Sequence, residues 1–245
     1  MKTRAVRLYG ENDLRLEEFE LPQPGKGEIL ARIVSDSICM SSYKALKQGA
    51  KHKRVPDNVA ENPVIIGHEM AGEIVEVGDT WKGQFQPGMK FSIQPALNYK
   101  GSLAAPGYSY QYIGGESNYV IIPSEVMESG CLMEYTGPGY FLSSLAEPVS
   151  CVVGTFNAMY HVPRGTYEHH MGPKKGGAMA MLGATGPMGL AAVDYAMHME
   201  QRPSLLVVTD VVQEKLDRAK RIYSPEEAAR QGVRLEYVNT ADIED

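Results

Sequence analysis

The stretch Val64-Ile65-Ile66-Gly67-His68-Glu69-Met70-Ala71-Gly72-Glu73-Ile74-Val75-Glu76-Val77-Gly78 decides the reading of the first half of the chain. It is an apolar run, then a Gly-His-Glu corner, then an alternating strand closed by another glycine. Glycine lets the backbone bend tightly around two side chains that bind metals well. A His-Glu pair alone carries little information. It gains weight from Cys39 upstream and from Glu147, which opens an apolar helical stretch downstream. Thiolate, imidazole and carboxylate suit a tetrahedral zinc ion that keeps one position open for water or substrate.

Upstream of the corner the pattern is that of short strands. Residues 5–9, 14–21 and 28–34 are separated by Gly-Glu-Asn-Asp and Pro-Gly turns, which predicts a small barrel-like β domain. Downstream the pattern changes. An apolar helix is predicted over 148–160, and from Ala178 the order is strand, glycine loop, helix, strand. The loop Gly183-Ala184-Thr185-Gly186-Pro187-Met188-Gly189 lets backbone approach a pyrophosphate held at the following helix N-terminus. Glycine spacing alone is weak evidence. The strand Leu205–Asp210 strengthens it, because Asp210 ends that strand 21 residues after Gly189. A carboxylate there accepts ribose hydroxyls and repels a 2′-phosphate, which favours NAD over NADP. Lys215 and Arg218 argue the other way. A third strand is predicted over 233–238. A dinucleotide fold of this type uses six strands, so the 245-residue sequence is expected to stop halfway through its second domain.

The totals exclude several classes. A net charge of −6 and a pI near 5.6 argue against a general nucleic-acid or anionic-membrane binder. No run approaches the ~20 apolar residues that span a bilayer, and the N-terminus lacks the apolar core of a signal peptide. Cysteines at 39, 131 and 151 are too few and scattered for a disulfide framework, so a cytoplasmic protein is expected. The basic cluster Lys44, Lys47, Lys51, His52, Lys53, Arg54 reads as a solvated face, or alternatively as lysines, Lys44 and Lys47 foremost, that hold a substrate phosphate. His161, His169 and His170 lie in a polar loop and read as chemically idle. Tyrosines 99, 108, 110, 112, 119 and 135 read as packing.

Gly67-His68-Glu69, two residues, Gly72, five residues, Gly78 resembles the zinc signature of the medium-chain alcohol and polyol dehydrogenases, with Trp81 as a mild departure. Ser37-Ile38-Cys39-Met40-Ser41-Ser42-Tyr43-Lys44 and the glycine loop are most similar to the L-sorbose-1-phosphate reductase branch. The resemblance implies an α/β protein: a GroES-like β-barrel catalytic domain over 1–155 and a partial Rossmann domain over 156–245. It implies Cys39 and His68 as ligands of one catalytic zinc, with Ser41 relaying the substrate proton. The region 92–122, which has no cysteine, cannot build the second, structural zinc of many relatives. Glu69 and Glu147 both remain carboxylate candidates. On an extended chain Glu69 would point away from His68 unless the glycine turn swings it in, and the resemblance to the polyol branch implies Glu69 as a ligand and catalytic residue; Glu147 suits a helix N-terminus on structural grounds alone. Ser42 and Lys44 stand where many members have Asp and His, which leaves the proton path open. The implied activity is hydride transfer between a ketose or its phosphate and a polyol, with L-sorbose 1-phosphate and D-glucitol 6-phosphate as the favoured pair. A homo-oligomer is implied for the longer protein. The rivals are a zinc-free quinone reductase of the same superfamily and a nucleotide-binding protein without turnover.

Overall fold

The computed structural model describes residues 1–241, and these fall into two compact units, Met1–Glu147 and the residues from Pro148 onward. In the first, the strands are β1 (Lys2–Gly10), β2 (Asp13–Glu20), β3 (Ile29–Asp36), β4 (Val64–Ile65), β5 (Met70–Val77), β6 (Lys90–Ile93), β7 (Tyr119–Ile122) and β8 (Leu132–Glu134). Helices α1 (Met40–Gln48), α2 (Ser124–Glu128) and α3 (Phe141–Ser144) join them. The strands form an antiparallel sheet in the order β7-β3-β5-β6-β8 and a smaller one in the order β2-β1-β4. Alternation explains the burial. Along β3, Ile29, Ala31 and Ile33 face a core with Ile74, Phe91, Ile93 and Ile122, while Arg32 and Val34 face out.

The register of one strand pair places the site. The end of β3 pairs with the start of β5, Asp36 opposite Met70 and Ser35 opposite Ala71. The backbone of Ser37 continues this pairing by donating to the carbonyl of Glu69 (3.2 Å). Cys39, just after β3, and His68-Glu69, just before β5, therefore arrive at the same sheet edge although 29 residues separate the first pair in sequence.

In the second unit, α4 (Ala146–Ala158) leads to a β9 (Tyr160–His161) and β10 (His170–Met171) hairpin. Then follow β11 (Ala178–Met181), α5 (Pro187–His198), β12 (Leu205–Asp210), α6 (Gln213–Ile222), α7 (Pro225–Arg230) and β13 (Arg234–Asn239). Strands β11, β12 and β13 lie parallel in that order. The division falls at 147/148, whereas the sequence placed it at 155/156. The reason is burial: Val152 and Phe156 of α4 pack with Val193, Ala196, Met197, Leu206 and Val208, so nearly all of that helix belongs to the second core. Helix α5 starts at Pro187, earlier than its apolar periodicity shows, because proline is preorganised for a first helical position after the Gly186 cap. No helix among the described residues is long and apolar enough to cross a membrane.

Candidate functional site

Gly67 turns the chain between β4 and β5 at φ +91°, a conformation that side chains other than glycine rarely adopt. The turn ends the extended run, and Glu69 sits in a bend rather than on a strand. Alternation therefore does not apply, and Glu69 is not turned behind His68. One ligand atom each from Cys39, His68 and Glu69 lies within 4.8 Å of the others, and this trio is the candidate metal group among the described residues. Glu147, in the first turn of α4, stands outside it; its charge acts on Tyr108. The Glu69 carboxylate also accepts a hydrogen bond from Ser37 Oγ, which fixes its direction.

Around the trio stand three hydroxyls. Ser41 Oγ donates to Cys39 Sγ (3.0 Å) and lies 3.1 Å from His68 Nε2. Tyr108 Oη donates to Ser41 Oγ (2.7 Å) and lies 3.2 Å from the same Nε2. Ser42 Oγ is on the far side of the imidazole, 3.4 Å from Nδ1. Nε2 is thus the nitrogen that faces the thiol and the hydroxyls, and Ser42 is placed to hold the ring by its other nitrogen.

Burial sets the charge states. The Cys39 thiol is pushed up by burial and by the Glu69 carboxylate, with Ser41 opposing. Burial depresses His68, which is 4% exposed, against the pull of the Glu69 charge. A neutral imidazole offers its lone pair to a metal, and a divalent cation would reverse the thiol's preference and hold it as thiolate. Sulfur, nitrogen and oxygen donors at one enclosed corner are a zinc donor set, so these residues fit the metal. Behind Glu69, Asp36 is raised to about 8 by burial and by the charges of Glu116 and Glu69. Both its oxygens are enclosed, and among the described residues the Glu69 backbone alone offers them a weak opposing hydrogen bond.

Tyr108, read from the sequence as packing, does pack in a buried cluster with Leu8, Ala45, Val55, Val59, Val64, Ile66 and Ala105, and its hydroxyl also reaches the trio, which the sequence did not signal. It is 6% exposed, burial raises its phenol to about 12, and its ring tilts against His68 with centroids 4.7 Å apart. Its loop is held from both sides. Gly107 (φ +78°) passes so close to the corner that a Cβ there would lie 2.1 Å from the Gly67 carbonyl oxygen. Ser109 Oγ accepts from the Ala105 amide and donates to the Arg54 carbonyl. The one local signal is Gly107 beside it; nothing in the sequence spacing separates Tyr108 from the other tyrosines.

Of the lysines expected to hold a phosphate, Lys47 Nζ donates to Asn12 Oδ1 (2.8 Å), and Lys44 is exposed on α1. His161 and His170 face each other across the β9–β10 pair, and His170 lies 3.6 Å from Glu168.

The glycine loop of the second unit is set by close packing. A Cβ on Gly189 would lie 2.4 Å from the Ala184 carbonyl carbon, so only glycine lets α5 approach the loop. The Ala184 amide donates to the Thr209 carbonyl (3.1 Å). Thr185, read from the sequence as a cofactor contact, is buried, and its hydroxyl donates to Asp210 Oδ2. The other Asp210 oxygen accepts the amides of Val211 (2.8 Å) and Val212 (3.1 Å), and the Thr185 hydrogen bond leads in holding this carboxyl below its usual range. Arg218 Nη2 donates to the Thr185 carbonyl (3.1 Å). Gly183, Gly186, Pro187 and Met188 line the turn into α5, with Pro187 and Met188 exposed.

Residues 25–137 match the alcohol dehydrogenase GroES-like domain. The chain is 53% identical over 224 residues to L-sorbose 1-phosphate reductase of Klebsiella pneumoniae, covering 91% of this chain and 55% of that protein. It is 46% identical over 244 residues to mannitol-1-phosphate 5-dehydrogenase of Aliivibrio fischeri, covering 100% and 57%. The chain thus spans a little over half the length of these relatives. The crystal structure of 2R,3R-butanediol dehydrogenase from Bacillus subtilis shares the fold, with a TM-score of 0.73 at 20% identity over 99% of this chain and 65% of that one.

Proposed function

We propose that this chain, which belongs to the zinc-dependent medium-chain alcohol and polyol dehydrogenase family, interconverts a ketose phosphate and a polyol phosphate by hydride transfer with NAD(H). The observation that carries the reading is the Cys39-His68-Glu69 trio with two hydroxyls, Ser41 and Tyr108, on its imidazole Nε2 side. Zinc held by those three residues would supply Lewis acidity, lowering the pKa of a bound alcohol or polarising a ketone. Ser42 orients His68 through Nδ1, and Ser37 orients Glu69. Ser41 Oγ would hydrogen-bond the reacting hydroxyl, held in place by the hydrogen bond it accepts from Tyr108 Oη, 2.7 Å away. Tyr108 stays protonated at neutral pH, so it works as a hydroxyl that accepts and donates together rather than as a base.

In the second unit, the glycine loop and the α5 N-terminus would hold a dinucleotide pyrophosphate, with Asp210 on the adenosine ribose. The Thr185, Val211 and Val212 hydrogen bonds keep Asp210 anionic, which supports NAD over NADP. The substrate pair L-sorbose 1-phosphate and D-glucitol 6-phosphate is favoured by the relative named as L-sorbose 1-phosphate reductase. Cytoplasmic location and homo-oligomerisation of the longer protein complete the reading. A zinc-free quinone reductase has no use for the trio.

The test is steady-state kinetics on the intact zinc-loaded enzyme with D-glucitol 6-phosphate and D-glucitol, each with NAD and NADP. The expected result is a higher kcat/KM for the phosphorylated polyol with NAD. No turnover of either polyol with either dinucleotide would contradict it.

A further inference from the structure

We propose that Arg54 anchors the substrate's phosphate group, binding it with the guanidinium N–H groups that the fold leaves free. This rests on the polyol-phosphate reading above and assigns the phosphate subsite to a residue other than Lys44 and Lys47. The cations of the basic cluster differ in what they already hold. Lys47 is engaged by Asn12, and Lys51 pairs with Glu11 at 3.3 Å. Arg54 has no carboxylate partner among the described residues.

Arg54 is also the cation that the fold fixes in place. Its amide donates to His52 Nδ1 (3.3 Å), its carbonyl accepts from Ser109 Oγ (2.6 Å), and its Nη1 donates to the Leu103 carbonyl (2.8 Å). One guanidinium hydrogen bond to a carbonyl leaves other N–H groups of the planar fork, and such a fork matches a phosphate's oxygens in a way an ammonium does not. The guanidinium carbon lies 6.0 Å from the centroid of the Tyr108 ring, whose hydroxyl reaches Ser41 and His68. One aromatic side chain therefore connects the cation to the metal group.

The chemistry of the substrate suits a cation on the same side of the unit as the trio. In a 2-ketose 1-phosphate the phosphate sits on the carbon next to the reacting carbonyl, so a substrate that reacts at Cys39, His68 and Glu69 would carry its phosphate into their surroundings, where Tyr108 and Arg54 lie. A dinucleotide phosphate offers the same oxygens to a guanidinium, so the experiment separates the two sources.

The experiment measures KM and kcat of the intact zinc-loaded enzyme and its R54Q and R54K variants for D-glucitol 6-phosphate, D-glucitol, NAD and NADP, with zinc content as the check on folding. Inorganic phosphate is added as a competitor. Losing a charge-assisted contact is expected to raise KM for D-glucitol 6-phosphate roughly ten- to a hundred-fold in R54Q, with kcat little changed. KM for D-glucitol and for both dinucleotides should stay within about two-fold, and phosphate inhibition should weaken. R54K, which keeps the charge without the fork, should show a smaller selective rise and decides the matter if R54Q loses its zinc. A wild-type preference for the phosphorylated polyol that survives unchanged in the variants overturns the role of Arg54 and leaves the proposed function standing. A rise in KM for NAD or NADP instead places Arg54 on the cofactor and also overturns it. A wild type without any preference removes the proposed substrate class, and this inference with it.

Discussion

The two units hold their candidate ligand-binding residues in opposite ways. In the second, the loop, its helix and the acidic strand end occupy one continuous segment from Ala178 to Asp210, and parallel pairing of β11 with β12 brings them together. In the first, Cys39, Ser41, His68, Glu69 and Tyr108 come from three separate segments, gathered where β3 and β5 meet and where the Gly107 loop packs on the corner. A contiguous site depends on one supersecondary motif. A gathered one depends on the register of a sheet and the path of a remote loop.

The same chemical change made in each unit tests that contrast with the largest effect. Gly189→Ala forces a Cβ into the Ala184 backbone, and Gly107→Ala forces one into the Gly67 carbonyl in a left-handed conformation as well. Each is expected to cost about 1–3 kcal/mol or more. Calorimetry should show that Gly189→Ala loses dinucleotide binding and keeps zinc, and that Gly107→Ala weakens zinc and keeps dinucleotide binding. Loss of both ligands in either variant would break the picture of two independently built sites.

Ser42→Ala removes the hydroxyl 3.4 Å from His68 Nδ1 and leaves the groups on the Nε2 side in place. Its expected consequence is a zinc affinity lower by roughly ten- to a hundred-fold, the range for loss of a partner that orients a metal-bound imidazole. A chelator competition titration measures it, and unchanged affinity would show that the imidazole is oriented by packing against Tyr108 alone.

Asp36 gives the smallest effect and a definite sign. Its carboxyl is raised to about 8 in the folded protein, above its ordinary value near 4, so the folded state keeps a proton that the unfolded state releases. Stability is therefore lost as pH rises towards 8 and is flat beyond. His52 and His68 are depressed and act in the opposite sense at acid pH, losing stability as pH falls through the ordinary histidine range. Between pH 6.5 and 8 the Asp36 loss outweighs the histidine gain, which fades as the imidazoles of the unfolded chain become neutral. The metal-free protein should lose about 1 kcal/mol there, a few degrees in Tm, and Asp36→Asn should flatten the slope. An equal slope in both proteins would assign it to other groups.

Much of this was legible from residue order alone, for reasons that differ by region. Strand alternation and the 2-to-3.6 change of period located the β domain and the glycine-loop unit, because those signals are local. The strand Leu205–Asp210 was read at its observed limits, since a parallel strand buried on both faces is a plain apolar run. The side on which Glu69 falls stayed open in the sequence, because alternation assumes an extended chain and only the structure shows how far the Gly67 turn breaks it. Ser42, read only as a departure from a relay pattern, is the hydroxyl beside His68 Nδ1. Tyr108 had no spacing to mark it, since it enters the corner through a turn of another loop. The apolar helix over 148–160 was legible as a helix, but which core it joins was not, since that depends on Val152 and Phe156 meeting Val193 and Leu206 of later elements.

The central claim is that Cys39, His68 and Glu69 hold the metal. The most direct measurement is zinc content per chain under metal-replete conditions, for the unaltered protein and for Cys39→Ser, Glu69→Gln and Glu147→Gln. The account predicts about one zinc per chain, lost in the first two variants and kept in the third. No zinc in the unaltered protein would contradict it, as would zinc that survives Glu69→Gln and disappears with Glu147→Gln.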